Sequence, residues 1–270
     1  MTDQNIQQNL ALDIRNLSIA FGGLKAVDNL SFSIRQGEVY GLIGPNGAGK
    51  TTVFNCITRF YEADEGEIFF KNNQGDIINL NDFSVEKIIR QGLGRTFQNV
   101  ELVPELTTLE NVMIGSHIRY ETGFVRQLFA TPKTRREEKE TIAQAEEIMD
   151  TMGLMIYRDI YCGALPYGIR KKVELARVLM SDPVMIILDE PAAGLNDEET
   201  DELNDLIKMV SKELNLTVLL IEHDMGLVMK LCDRITAISF GKHIGTGTPA
   251  EIRENQAVRE AYLGVEDDDE

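Results

Sequence analysis

The sequence has little of what builds disulfide-linked, zinc-binding or membrane-spanning proteins. Its 270 residues include no tryptophan, three cysteines and three histidines. Cys56, Cys162 and Cys232 lie far apart without C-x-x-C spacing, which argues against a disulfide framework or a zinc site and favours a reducing compartment. Apolar runs such as 184–188 and 218–221 are short, whereas a membrane-spanning helix needs about 20 residues. The N-terminus lacks the basic and apolar regions of a signal peptide, so we expect a cytosolic protein.

Positive charge is also scarce. The chain carries 27 Lys and Arg residues against 44 Asp and Glu residues, which gives a net charge of −17 and a sequence pI of about 4.7. This balance argues against a general electrostatic attraction to nucleic acid or anionic lipid, and we expect no nucleic-acid partner. Residues 266–270 are all acidic, which predicts a disordered tail over 265–270. An anionic ligand therefore needs a local positive site.

The rest of the composition is that of a globular α/β protein, and we expect one domain over residues 10–264. From residue 168 onward, helical and β-branched segments alternate, which predicts a parallel sheet covered by helices. Helical composition between about 105 and 165, continued by a helix over 168–180, predicts a helical subdomain at about 105–180. Further predicted strands, the last two forming a hairpin, cover residues 12–19, 30–34, 39–43, 67–70 and 76–80.

The strongest local signal is a glycine-rich segment between a predicted strand and a predicted helix. It matches G-x-x-x-x-G-K-[ST], the phosphate-binding loop, in the context that this motif requires. Glycine lets successive backbone N–H groups turn inward around phosphate oxygens, and the helix N-terminus adds positive partial charge. Lys50 is predicted to reach the β- and γ-phosphates, and Thr51 to ligate Mg²⁺. The predicted nucleotide contacts in this segment are Gly44, Pro45, Asn46, Gly47, Ala48, Gly49, Lys50, Thr51 and Thr52.

Polar residues follow two further apolar runs that are predicted to be buried strands. Asp189 and Glu190 follow run 184–188, and ligands of open α/β sheets bind at such strand ends. We predict that Asp189 holds Mg²⁺ and that Glu190 is the general base for the attacking water. His223 follows run 218–221, from which it can reach the γ-phosphate. Alone, an acidic pair is typical of a helix cap or a solvated turn, and a lone histidine is typical of a structural residue.

Two further signals accompany these motifs, a glutamine after a strand (Gln98) and a glycine at a helix start (Gly168). The order in which all of them occur along the chain resembles that in the ATP-binding subunit of ABC transporters. The resemblance covers about residues 10–264. It implies an α/β fold in which a P-loop NTPase parallel-sheet core carries an antiparallel β subdomain and an inserted helical subdomain. It also implies ATP and Mg²⁺ as bound groups.

The roles of three residues are implied by this resemblance alone. Phe21 is implied to stack on adenine. Gln98 is implied to touch Mg²⁺ and the nucleophilic water. Gly168 is implied to contact the nucleotide bound by a partner subunit. Taken together, the implied catalytic residues are Lys50, Gln98, Glu190 and His223, and the implied Mg²⁺ ligands are Thr51, Gln98 and Asp189.

Two segments depart from the family pattern. Residues 165–169 read LPYGI where the family has LSGGQ, so that Pro166 removes a serine hydroxyl that would donate to the partner's γ-phosphate. The loop that follows the acidic pair ends in Asn196 rather than aspartate. Both departures, together with stretch 122–132 and the ending AYLG near the C-terminus, are similar to the subfamily that serves branched-chain amino-acid importers.

The resemblance implies an ATPase that couples hydrolysis to the import of branched-chain or other hydrophobic amino acids. Its implied partners are transmembrane permease subunits, a second ATP-binding subunit that is identical or different, and indirectly a substrate-binding protein. It would then lie on the inner face of the cell membrane, held by its partners. The alternatives are an ABC ATPase for lipid or lipopolysaccharide export, for urea import or for a soluble mechanical role, a phosphate-loop GTPase or small-molecule kinase, and a non-hydrolysing interaction module. His223 and segment 165–169 argue against a GTPase or kinase, and Glu190 argues against a non-hydrolysing module.

Overall fold

The computed structural model describes residues 9–96, 101–118 and 132–263, which form two β-sheets and the helices that cover them. Gln98, the predicted tail 265–270 and nearly all of stretch 122–132 lie outside the described residues. In chain order, the strands are β1 (Leu10–Phe21), β2 (Leu24–Arg35), β3 (Val39–Ile43), β4 (Glu65–Lys71), β5 (Ile77–Asn79), β6 (Leu93–Arg95), β7 (Met185–Asp189), β8 (Thr217–Glu222), β9 (Arg234–Ser239) and β10 (Lys242–Gly247).

The first sheet has four antiparallel strands in the order β2-β1-β4-β5. The alternating apolar residues of 30–34 share its buried face, as their spacing predicts. The hairpin predicted around 72–75 is present, because Asn72 Oδ1 accepts the N–H groups of Gln74 and Asp76 and so closes the turn between β4 and β5. The antiparallel subdomain implied by the family resemblance is therefore confirmed.

The second sheet has six strands in the order β10-β9-β3-β8-β7-β6. Five of them are parallel, and β10 runs antiparallel to β9 at one edge. Every residue of β3, β7 and β8 is buried, which accounts for the apolar runs 184–188 and 218–221. The parallel sheet is thus confirmed. Sequence reasoning assumed a strand before Gln98 but gave no bounds for it, and this strand is β6, only three residues long. It did not locate β10, whose glycines and polar residues break the apolar pattern.

Helices cover both faces of this sheet, and within residues 101–118 and 132–263 three of them belong to the helical subdomain. In that subdomain α3 packs on α4 and on α5, and Ala145 and Met149 of α4 are fully buried, as the spacing of apolar residues predicts. No helix in the described ranges is both long enough and apolar enough to cross a membrane. The helices are α1 (Lys50–Ile57), α2 (Val85–Arg90), α3 (Thr108–Ile114), α4 (Pro132–Thr151), α5 (Tyr167–Leu179), α6 (Asp197–Glu213), α7 (Met225–Leu231), α8 (Pro249–Glu254) and α9 (Gln256–Leu263).

The six-stranded sheet separates two apolar cores. Successive side chains of β7 point to opposite faces, so that Met185 and Ile187 join the core shared with the antiparallel sheet and α1. Ile186 and Leu188 join the core formed with the helical subdomain and the C-terminal helices. Because β7 is packed on both faces, the position of its last residue, Asp189, is determined by both cores.

Candidate functional site

The carboxyl ends of neighbouring parallel strands meet at one edge of the six-stranded sheet. Strand pairing places Ile43, the last residue of β3, beside Glu222 of β8, and it places Asp189, the last residue of β7, beside Ile221 of β8. The phosphate loop, the acidic pair and His223 follow these three strands. The structure therefore brings together the segments that the sequence predicted to meet at this edge.

The phosphate loop between β3 and α1 has a backbone shape that requires glycine. Gly49 precedes α1 with a φ of +102°, and a Cβ there would lie 2.5 Å from the Ala26 carbonyl oxygen. A Cβ on Gly44 would lie 2.3 Å from the Ile238 carbonyl oxygen, closer than real contacts allow. Asn46 is exposed at the outer side of the loop. All the predicted phosphate-loop contacts lie in this loop or in the first turn of α1, where backbone N–H groups can face an anion.

Lys50, the first residue of α1, is buried and turns back into the loop. Its ammonium group donates hydrogen bonds to the carbonyl oxygens of Gly44, at 2.6 Å, and Pro45, at 3.1 Å. Burial lowers the pKa of Lys50, while the nearby carboxylates of Glu190 and Asp189 act in the opposite direction. The local positive charge that an acidic chain needs to bind an anion is therefore present inside the loop.

The acidic pair lies where β7 ends and does not cap a helix, since α6 begins at Asp197 and its cap is Asn196. Asp189 is buried, and burial raises its pKa from 3.8 to about 6, with the Glu190 carboxylate adding to the shift. Glu190 has a φ of +45°, a left-handed conformation that is uncommon outside glycine. Its N–H donates to the Ile221 carbonyl oxygen at 2.9 Å, which holds the turn against β8.

His223 lies beside the acidic pair, and 54% of its side chain is exposed. Its Nδ1 atom is 3.4 Å from Oε1 of Glu190. Its backbone N–H donates to Oε2 of Glu222 at 3.1 Å. The predicted general base and the predicted γ-phosphate donor are therefore neighbours, although their catalytic roles stay predictions.

Phe21 ends β1 with about half of its ring exposed. The ring meets Tyr61 edge to face, with ring centroids 5.2 Å apart. Tyr61 follows α1, the helix that begins in the phosphate loop, and Ala26 of the adjoining strand β2 approaches that loop directly. An exposed aromatic pair offers a surface on which a base can stack. The stacking role of Phe21 stays a prediction.

Gly168 lies in the first turn of α5, behind Pro166, which occupies the cap position without a side-chain hydrogen bond. A Cβ on Gly168 would lie 2.8 Å from Oε1 of Glu199 in α6. Asn196 accepts the Glu199 N–H at 2.9 Å, and the Glu199 carboxylate accepts the Asn196 N–H at 3.1 Å. The departure to asparagine at this position therefore preserves a helix cap, a role that asparagine and aspartate fill about equally well.

The residues present beside the loop fit Mg²⁺, which prefers oxygen ligands and keeps few protein contacts when it binds with phosphates. Thr51 exposes a hydroxyl at the start of α1, and Asp189 has a buried carboxyl whose charge a cation would stabilise. Gln98, the third predicted ligand, lies outside the described residues. The last described residue before it is Thr96, whose N–H donates to the Ile187 carbonyl oxygen at 3.0 Å.

Two further residues adjoin the site, and sequence reasoning passed over both. Glu222 ends β8 and is buried, and an acidic residue at the end of an apolar strand was a signal that could have identified it. Tyr262 of α9 packs on the core beneath the helical subdomain. Burial raises the pKa of Tyr262 to about 12, and the backbone N–H of Gly44 acts in the opposite direction. No local pattern could have placed Tyr262 beside the phosphate loop.

Comparison with known proteins finds family models that cover the phosphate loop, the acidic pair and the C-terminal segment that contains Tyr262. The model of the ABC transporter family matches residues 27–193, and a model described as branched-chain amino acid ATP-binding cassette transporter matches residues 242–268. The chain is 43% identical over 253 residues to the high-affinity branched-chain amino acid transport ATP-binding protein BraF of Pseudomonas aeruginosa, covering 94% of this chain and 97% of that protein. Over the same length and coverage it is 42% identical to the protein LivG of Escherichia coli, which is described in the same terms.

Solved structures give the same picture of the fold. The ADP conformation of an ATP-binding cassette of an ABC transporter superposes with a TM-score of 0.81 at 32% identity, covering 94% of this chain and 99% of that one. A dimeric structure of a bacterial ABC transporter cassette superposes with a TM-score of 0.71 at 25% identity, covering 88% of this chain and 98% of that one. The predicted α/β fold of a P-loop core with two subdomains is therefore confirmed.

Proposed function

This chain belongs to the ABC transporter family, and from that premise we propose that it is the ATP-hydrolysing, energy-coupling subunit of an importer of branched-chain amino acids. One observation carries the enzymatic part, namely the meeting of the phosphate loop, the acidic pair and His223 at the ends of three neighbouring strands. The names of the similar proteins support the cargo class. We further propose that residues 10–264 act as one domain.

In this proposal, ATP binds with its phosphates in the phosphate loop. Backbone N–H groups of the loop and the ammonium group of Lys50 bind phosphate oxygens, and Phe21 stacks on the adenine. Thr51 and Asp189 would hold Mg²⁺, which neutralises phosphate charge when it is bound. Lys50 then exchanges its present carbonyl partners, Gly44 and Pro45, for phosphate oxygens.

Hydrolysis is assigned to the neighbours Glu190 and His223. Glu190 accepts a proton from the attacking water, whose oxygen forms the new bond to the γ-phosphorus while the bond to the bridging oxygen of ADP breaks. The imidazole of His223, whose Nδ1 atom lies 3.4 Å from Oε1 of Glu190, is assigned as the donor to a γ-phosphate oxygen. Lys50 stabilises charge that develops on the transferred group.

A second ATP-binding subunit completes each nucleotide site in this proposal. Gly168 lies at the N-terminus of α5, where a backbone N–H is free of helical partners and the helix dipole favours an anion. We assign that N–H to the nucleotide held by the partner's phosphate loop. The segment can do so without the serine hydroxyl that Pro166 replaces.

The permease subunits are proposed to dock in a groove of about 470 Å³ between the phosphate-binding core and the helical subdomain. Apolar side chains dominate its lining, and Phe60 at its mouth is half exposed. Arg95, at the end of β6, contributes to one wall, and Arg177 of α5 contributes to the other. A short amphipathic helix inserted there would contact both parts of the chain at once. This contact would hold the subunit at the inner face of the membrane.

The variant Glu190→Gln tests hydrolysis. Because it keeps the shape of the side chain but not its basicity, we expect ATP turnover to fall by about 10²–10⁴-fold while ATP affinity changes little. The matched control is Glu213→Gln at the exposed end of α6, which should keep wild-type turnover. Equal turnover in Glu190→Gln and wild type would refute the role of Glu190, and an inactive wild-type complex would refute the ATPase itself.

Cargo and partners are tested with the assembled complex. The Glu190→Gln chain, extracted from its own cells in mild detergent with ATP, should bring two polytopic membrane proteins, and the wild-type complex in liposomes should drive ATP-dependent uptake of labelled leucine, isoleucine or valine. Uptake of urea instead, or extrusion of lipid, would keep the ATPase and replace the cargo. Recovery of the chain without any membrane protein would overturn the transporter role.

A further inference from the structure

Glu222 is a buried carboxylate that the mechanism above does not use. It is the last residue of β8, with 2% of its surface exposed, and it follows four apolar residues, 218–221. Burial raises the pKa of Glu222, because burial penalises its charged form. An apolar residue would continue the strand without this cost. The position therefore contains a polar group whose partners need to be explained.

Both carboxylate oxygens have backbone partners, and those partners belong to two different loops. Oε2 accepts the N–H of His223 at 3.1 Å, in the loop after β8. Oε1 accepts the N–H of Ala192 at 3.4 Å, in the loop that Glu190 begins after β7. Glu222 thus joins the loop that carries the predicted base to the loop that carries the predicted phosphate donor.

The same side chain also lies close to the reacting groups without reaching them. Oε2 of Glu222 is 3.8 Å from Nδ1 of His223, beyond hydrogen-bond distance, and the Glu222 charge acts on Lys50. A second link runs in parallel, since the Glu190 N–H donates to the Ile221 carbonyl oxygen. The backbone bond fixes the start of the acidic turn, and the Glu222 carboxylate fixes its continuation at Ala192.

We propose that Glu222 is a positioning residue that holds Glu190 and His223 in one mutual arrangement. The inference rests on the proposed ATPase function and deepens it. The carboxylate suits this role because its two acceptor oxygens satisfy N–H groups from two loops at once. An amide has one acceptor oxygen, and its NH₂ group would face an N–H donor. Loss of either bond lets one loop move relative to the other, and small displacements of catalytic groups reduce rates strongly.

The test is Glu222→Gln, measured as ATPase turnover and ATP affinity of the full-length chain in its assembled complex. We expect turnover to fall by about 10–100-fold while ATP affinity stays within about twofold. Should Glu222→Gln fail to fold, Glu222→Asp retains both oxygens on a shorter side chain, and its turnover should fall by about 3–10-fold.

A double-mutant cycle with His223→Ala separates positioning from general support of the fold. If Glu222 acts through the Glu190–His223 pair, then adding Glu222→Gln to His223→Ala should change turnover by less than about threefold. The control is Glu38→Gln, at the opposite edge of the same sheet. Glu38 is also buried and accepts a backbone N–H, that of Arg35 at 2.8 Å. Its replacement should lower the melting temperature without lowering turnover.

The outcomes distinguish the inference from its premise. An inactive wild-type complex refutes the proposed ATPase. An active wild type with unchanged turnover in Glu222→Gln and Glu222→Asp refutes only the positioning role. The positioning role is also refuted if the effect of Glu222→Gln on turnover adds fully to that of His223→Ala. It is refuted as well if Glu222→Gln and the control Glu38→Gln both lower melting temperature, ATP affinity and turnover together, because the loss would then come from the fold.

Discussion

The phosphate loop and the start of α5 are both proposed to bind nucleotide, but packing fixes the phosphate loop more tightly than the start of α5. The loop follows a strand buried along its whole length, and Gly44 and Gly49 are each in close contact with the backbone of another strand or strand end. The first turn of α5 begins behind the exposed Pro166, without a side-chain cap, and Gly168 packs on the carboxylate of Glu199.

The two regions also differ in whether one chain supplies all the groups that they need. The phosphate loop has its ammonium, carboxylate and imidazole groups assembled by three adjacent strands. The start of α5 offers a backbone N–H group and depends on a nucleotide from a second subunit. We therefore expect ATP binding to depend on the first region and association of subunits to depend on the second.

Among the variants that test this comparison, Lys50→Ala should have the largest effect, which is a loss of ATP affinity. It removes a buried ammonium group, and hydrogen bonds to a charged group contribute about 1.5–3 kcal/mol each. Two such bonds to phosphate predict at least about a 100-fold loss of ATP affinity, measured by calorimetric titration. Lys212→Ala, at the exposed end of α6, is the control and should bind ATP normally. Normal affinity in Lys50→Ala would mean that binding does not depend on the loop.

Asp189→Asn should show by how much the buried carboxylate beside the phosphate loop lowers the free energy of unfolding. Burial raises the pKa of Asp189 from 3.8 to about 6, so the folded chain binds more protons than the unfolded chain between these values. The free energy of unfolding therefore falls as pH rises from about 4 to 6, and this loss persists at pH 7. A shift of about two units corresponds to at most ~3 kcal/mol.

In urea unfolding without metal or nucleotide, Asp189→Asn should then exceed wild type in stability by about 1–3 kcal/mol at pH 7. The difference should disappear near pH 4, where the wild-type carboxyl is protonated in the folded chain. That convergence is the internal control. A variant that is less stable than wild type at pH 7 would show that the carboxylate charge stabilises the free chain.

Gly168→Ala should have the smallest effect and should act on the second region alone. The added methyl group meets the Glu199 carboxylate, so that one of the two must shift in the segment that is proposed to face the partner's nucleotide. ATP affinity of the isolated chain should stay within about twofold, while ATP-dependent association in a Glu190→Gln background weakens by about tenfold, or ~1.4 kcal/mol. Light scattering measures the association. A loss of ATP affinity in the isolated chain would show that the two regions are not independent.

Sequence reasoning succeeded where a short segment carries its own signal. The glycine spacing of 44–52 predicted the phosphate loop, and the apolar run 184–188 predicted a buried strand that ends at the acidic pair. It gave no bounds for β6, which is very short, and it did not locate β10, which is polar. These strands form by pairing at the two edges of a sheet whose centre was already evident.

The sequence by itself determined which groups this protein has for nucleotide chemistry, since glycine loops, buried strands and polar strand ends are local patterns. Only the tertiary structure decided which of them touch. The strand order places Glu222 against Ala192, the antiparallel sheet brings Phe21 to Tyr61, and the packing of α9 places Tyr262 near Gly44. The physical reason is that contacts between distant segments follow from how both faces of the sheet are packed, which no single segment encodes.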